Sequence, residues 1–91
     1  MQIEFTDHGV VRVMERAGFR DPRNARYQIR RAWMLGGSAG TDVFCDFRLG
    51  YSYRWFDGMV YVFKAIDSEF PPIHITVLFP KGQTSWMVRA A

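Results

Sequence analysis

Two histidines and a row of arginines are the side chains in this sequence best suited to acid–base and phosphate chemistry. His8, Arg12 and Arg16 fall four apart in the segment DHGVVRVMER, with Glu15 alongside, so a helix there gathers all four on one side. An imidazole in that position can move a proton from an RNA 2′-hydroxyl while guanidinium groups stabilise the pentavalent phosphate. The plainer reading is a solvated helix face with a Glu15–Arg12 ion pair, and geometry alone favours it because polar helix faces are common. His74 and Thr76 form a second pair, two apart in IHITVLF and therefore expected on one face of a strand, with Lys81 just beyond. They suit a phosphate-handling surface, or else an ordinary wetted sheet face. Catalysis by paired imidazoles needs His8 and His74 together, since the chain has no other histidine.

A third candidate is the aromatic series Tyr51, Tyr53, Trp55, Tyr61 and Phe63, which would stack bases beside Arg54 and Lys64 or, more commonly, form the core face of a hairpin. Cys45 falls on the apolar side of its segment and reads as a buried filler rather than a nucleophile. The sequence shows no phosphate-binding glycine loop, no dinucleotide fingerprint and no metal-ligand spacing, so neither a cofactor nor a metal is expected.

The elements that must position these residues follow from the hydrophobic period. Residues 2–5 form a short opening strand. Val10, Val13, Met14 and Ala17 recur at helical spacing, with Thr6 or Asp7 as cap and Gly18 as stop. Asp21 and Pro22 start a second helix that runs to about Leu35, with Ala25, Ile29, Ala32 and Trp33 on its apolar stripe. Arg23, Arg26, Tyr27, Arg30 and Met34 fall on its far side. After the GGSAGT linker the period becomes two, in VFCDFRL, then in YSYRWF and MVYVFKAI joined by the hairpin signal Asp57–Gly58, and last in IHITVLF. In that last strand Ile73, Ile75, Val77 and Phe79 are expected to point one way and His74, Thr76 and Leu78 the other. SEFPP is a loop, and Trp86 and Val88 in the tail could dock or add an edge strand. The expected fold is α+β, one domain over residues 1–91. A short N-terminal strand and two helices pack on one face of a mostly antiparallel sheet of four to five strands.

Composition sets the outer bounds. The chain has 91 residues, 48% hydrophobic and 16% aromatic, enough for a folded core rather than a disordered segment. A single cysteine rules out an intramolecular disulfide framework. With no signal-peptide pattern and no apolar run long enough to span a bilayer, a reducing, cytoplasmic setting without membrane attachment is expected. The net charge of +3 is unevenly placed: residues 1–36 hold seven arginines against Glu4, Asp7, Glu15 and Asp21, while the remainder is balanced. Arginine, whose planar fork suits phosphate and carboxylate, supplies ten of the twelve basic residues.

FTDHGVVRVMERAGF resembles the H-A-x-x-R-[MY]-x-E-R opening of small domains found in bacterial and phage genomes, and VYVFKAI and HITVLFPKG resemble their closing strands. Those domains look like distant relatives of RelE- and BrnT-type toxins, within the barnase–EndoU–colicin–RelE ribonuclease fold. The match covers most of the chain in order and is strongest at residues 5–19 and 59–82. Gly9 stands where the family usually has alanine, which weakens the helix start, and SEFPP lengthens the last hairpin. The resemblance implies an antiparallel sheet packed by N-terminal helices and RNA cleavage without metal through the 2′-hydroxyl. It carries His8, Arg12, Glu15, Arg16 and Thr76 over as matching positions.

Three functions compete at this point. The first is a metal-independent endoribonuclease or toxin-like RNA-binding domain, with His8 or His74 as acid or base, Thr76 nearby, and Arg12 and Arg16 on the scissile phosphate. Its RNA would also meet Glu15, Arg23, Arg26, Arg30, Arg54 and Lys81. The second is a phage or mobile-element inhibitor that presents its arginines to an acidic protein, whether an antitoxin or a host protein, without catalysis. The third is an RNA-binding module that leaves its RNA whole, marked by steep salt dependence.

Overall fold

A computed structural model describes residues 2–39, 49–65 and 69–80. The order of elements is β1 (Glu4–Phe5), α1 (Asp7–Ala17), α2 (Pro22–Leu35), β2 (Gly37–Ser38), β3 (Tyr51–Phe56), β4 (Met59–Lys64) and β5 (Ile73–Leu78). The strands form one five-stranded sheet in the order β1-β5-β4-β3-β2. β1 runs parallel to β5, and every other pair is antiparallel. The fold is α+β, as the hydrophobic pattern predicts.

Local chemistry fixes the element ends. The Thr6 hydroxyl accepts a hydrogen bond from the Gly9 N–H and caps α1, while Gly18 stops the helix with φ 83°, a left-handed conformation that costs glycine little. Asp21 caps α2 by accepting from the Arg23 N–H, and Pro22 occupies the first turn, where its missing N–H is no loss. Asp57 and Gly58 both have positive φ, 52° and 77°, so the β3–β4 loop has the twist of a two-residue hairpin turn. The buried amide of Gln28 on α2 donates to the Asp57 carboxylate at 3.0 Å, tying that turn to the helix layer.

The helices cover one face of the sheet. Val10 and Val13 from α1, Ala25, Ile29 and Ala32 from α2, and Met59, Tyr61, Phe63 and Val77 from the sheet make the main core. On the opposite face Val60 and Val62 are buried with Ala39, flanked by Tyr51, Tyr53 and Leu78.

The register corrects three expectations. Because the hairpin loop has two residues, Phe56 faces Met59, and Tyr53 and Trp55 face Val62 and Val60. Tyr51, Tyr53 and Trp55 therefore lie on the opposite sheet face from Tyr61 and Phe63, and the five aromatics do not form one ladder. A second departure is β2, which forms at Gly37–Ser38 inside the expected linker. Of VFCDFRL only Leu49 lies among the described residues, in an exposed turn; Cys45, Lys81, Trp86 and Val88 lie outside them.

The third correction is a β-bulge in β5. Tyr61 and Val62 pair with Val77 and Thr76, whereas Phe63 and Lys64 pair with His74 and Ile73. One residue, Ile75, is thus extra on β5 and has no opposite number on β4. Strict alternation fails there, and His74 shares the helix-covered face with Val77 instead of sharing a face with Thr76 and Leu78.

Candidate nucleic-acid interface

Part of the row on α1 forms as its spacing implies. His8 is exposed and its Nε2 accepts from Arg12 Nε at 3.4 Å. Arg12 also lies 4.0 Å from the Glu15 carboxylate, with both side chains substantially solvated. Arg16 leaves the row. Its guanidinium reaches across to the sheet and donates to the Val77 carbonyl at 2.7 Å, which commits it to holding α1 on β5.

His74 is fully buried under α1, not on a wetted sheet face. The rings of Phe63 and Tyr61 lie 5.3 and 6.2 Å from its own. Neither imidazole nitrogen reaches a hydrogen-bond partner. Burial pushes its pKa from 6.5 down to about 4, with a weaker opposing effect from the Thr76 backbone. His8 is therefore exposed on the first turn of α1 while His74 is covered by it. Thr76 sits on the other sheet face, in register with Val62. The five candidate catalytic residues do not converge, and the paired-imidazole arrangement is not formed. Among the described residues, no group of three or more His, Cys, Asp or Glu side chains is placed to hold a metal.

The basic side chains of α2 and β3 divide into two kinds. Arg54 is turned inward: its guanidinium lies 4.3 Å from the Trp33 ring centroid and donates to the Ser52 hydroxyl at 3.2 Å and the Gly36 carbonyl at 3.5 Å. It braces the end of α2 against β3. Arg23 pairs with its own N-cap, Asp21, at 3.3 Å. The Arg23 N–H and side chain together lower the Asp21 pKa.

The rest of α2 is a different surface. PRNARYQIRRAWML contains four arginines and no carboxylate. Arg30 lies over the Phe5 ring at 5.1 Å, and Arg31 lies over Phe56 and Tyr27 at 5.5 and 5.7 Å. These aromatic contacts orient the guanidinium planes without neutralising them. Arg23, Tyr27, Arg30 and Met34 follow one helical stripe about 16 Å long, with Arg31 beside it, and all five are exposed. Arg31 and the exposed ring of Tyr27 did not stand out in the sequence as a stacked pair; their i, i+4 spacing was the available signal.

No helix among the described residues is long and apolar enough to cross a membrane. No protein-family model, curated protein or solved structure matches the chain.

Proposed function

We propose that the protein is an RNA-binding domain that holds the backbone of single-stranded RNA on the outer face of α2 and leaves it uncut. The observation that carries this reading is the pairing of Arg30 and Arg31 with aromatic rings rather than carboxylates on a helix that has no acidic residue. Oriented, uncompensated guanidinium groups suit phosphate oxygens, and the Tyr27 ring offers a base a stacking surface. The cleaving version of this function would have to rest on His8 with its neighbours Arg12 and Glu15, because His74 is enclosed.

The test is anisotropy of a labelled, mixed-sequence RNA in EDTA across a salt series. About three phosphate contacts should give a slope of log K against log salt near −2, with the RNA intact on a gel. Arg30→Ala and Arg31→Ala should weaken binding and flatten the slope. Absence of binding at low salt, or indifference to both substitutions, overturns the proposal.

A second reading is favoured by Met34 and Leu35, which are 68% and 64% exposed at the end of the same helix. An apolar tip beside an arginine stripe suits an acidic protein surface, as an inhibitor would need. Nuclease-resistant, saturable binding to a host protein, abolished by Met34→Ser and unaccompanied by RNA binding, would favour it over the first.

A further inference from the structure

His74 has no role in that interface, and as an apolar core position it would be better filled by leucine or phenylalanine. We propose that His74 is an acid-sensitive latch: protonation of its imidazole releases the first turn of α1 from the sheet while α2 and the β3–β4 hairpin stay in place. The geometry concentrates on one residue. The α1 backbone passes so close to the imidazole that a Cβ on Gly9 would stand 2.7 Å from Nδ1. The cap of α1 is tied to the same residue, because the Thr6 hydroxyl donates to the His74 carbonyl at 3.2 Å while accepting from the Gly9 N–H at 2.9 Å. The first turn of the helix and the buried ring therefore occupy one tightly filled place.

Among the described residues, a proton on that ring would find only the Thr76 backbone to favour it, an effect weaker than the cost of burial. From β4 the facing groups are the ring of Phe63 and the phenol-bearing ring of Tyr61. From β1 its register partner is Phe5. From α1 the neighbours are Gly9 and Thr6. The nearby charged or titratable residues Glu4, Asp7, His8 and Lys64 are all exposed to solvent. The helix N-terminus adds its own partial positive charge, which repels an imidazolium. Moving the first turn of α1 admits water to the ring at the cost of Val10's place in the core, while the last turn is held separately by the Arg16–Val77 bond. That bond makes the far end of α1 the pivot.

The direction of the response follows from proton linkage. The closed state titrates at about 4 and a solvated imidazole at 6.5. Between those values the open state binds a proton that the closed state does not, so the opening equilibrium rises by up to about tenfold per unit as pH falls. Above that window the latch is shut.

The experiment is residue-resolved amide exchange on the intact chain, expressed as protection relative to intrinsic rates, between pH 6.5 and 4. Protection at residues 9–13 should fall by up to about tenfold per pH unit while residues 25–32 of α2 hold theirs, and the ring resonances of His74 should titrate in step. In His74→Phe, with His74→Leu as the second variant should the first fail to fold, protection of α1 should be flat over this range. Parallel loss in α1 and α2, a His74 ring that titrates while α1 stays protected, or the same acid response in the variants would overturn the proposal. RNA binding at pH 7 plays no part in the readout, so the test stands apart from the function proposed above.

Discussion

The Cβ that Gly9 lacks would stand 2.7 Å from Nδ1 of His74, closer than a methyl group can come. The same atom would meet the Thr6 hydroxyl at 2.8 Å and the Ile75 carbonyl at 3.0 Å. This contact gives a physical reason for glycine at this position. Helix propensity would have Gly9→Ala stabilise α1 by about 1 kcal/mol. The overlap outweighs it, and we expect a net loss of about 1–2 kcal/mol in urea unfolding. In a His74→Ala background the part of that loss due to the imidazole should vanish while the Thr6 and Ile75 overlaps remain, giving a coupling energy above about 0.5 kcal/mol. Equal losses in both backgrounds would show that the imidazole is not what excludes the methyl.

Thr6 serves α1 and β5 with one hydroxyl, accepting from Gly9 and donating to the carbonyl of His74. Thr6→Val keeps the shape and removes both bonds, so thermal unfolding should report a loss of about 1–2 kcal/mol. Thr6→Ser should retain more than half of the stability that valine loses.

Asp57 combines a left-handed backbone with an acceptor for the buried Gln28 amide. Asp57→Asn satisfies both demands and should be nearly neutral. Asp57→Ala satisfies neither and should cost about 1–3 kcal/mol by chemical denaturation, from αL strain and the lost bond together.

Arg54 and Arg31 make opposite predictions although both are arginines beside aromatic rings. The inward fork of Arg54 spans Trp33, Ser52 and Gly36. Arg54→Lys cannot reproduce that planar contact and should destabilise by about 1 kcal/mol, with RNA affinity unchanged. Arg31→Ala should leave stability nearly intact and weaken RNA binding. Affinity lost in the first variant and kept in the second would move the interface from α2 to the sheet.

What the sequence makes legible here is local. Thr6, Gly18, Asp21–Pro22 and Asp57–Gly58 announce helix ends and a turn through their own backbone preferences, and the structure has all of them. β2 was not legible, because two residues in a glycine-rich stretch carry no period. The pairing of β1 with β5 joins residues almost seventy apart and leaves no local trace. For the candidate site the failure has a single origin. Assigning faces in IHITVLF assumes unbroken alternation, and the bulge at Ile75 breaks it, carrying His74 from the expected wet face into the core. The α1 row fails at Arg16 for another reason: helix spacing says which side a residue leaves from, not which distant carbonyl a long side chain reaches.

The unpaired Ile75 also makes β5 a strand with one residue of slack. Deleting a residue from a regular strand turns everything beyond the cut to the wrong face. Here the ladder on either side of Ile75 already matches consecutive residues of β4, Val62 to Thr76 and Phe63 to His74. Excising Ile75 would splice the two halves in phase, leaving His74 beneath α1 and Val77 in the core. A shortened chain would thus inherit the same faces. In this strand, length and side-chain orientation can vary independently.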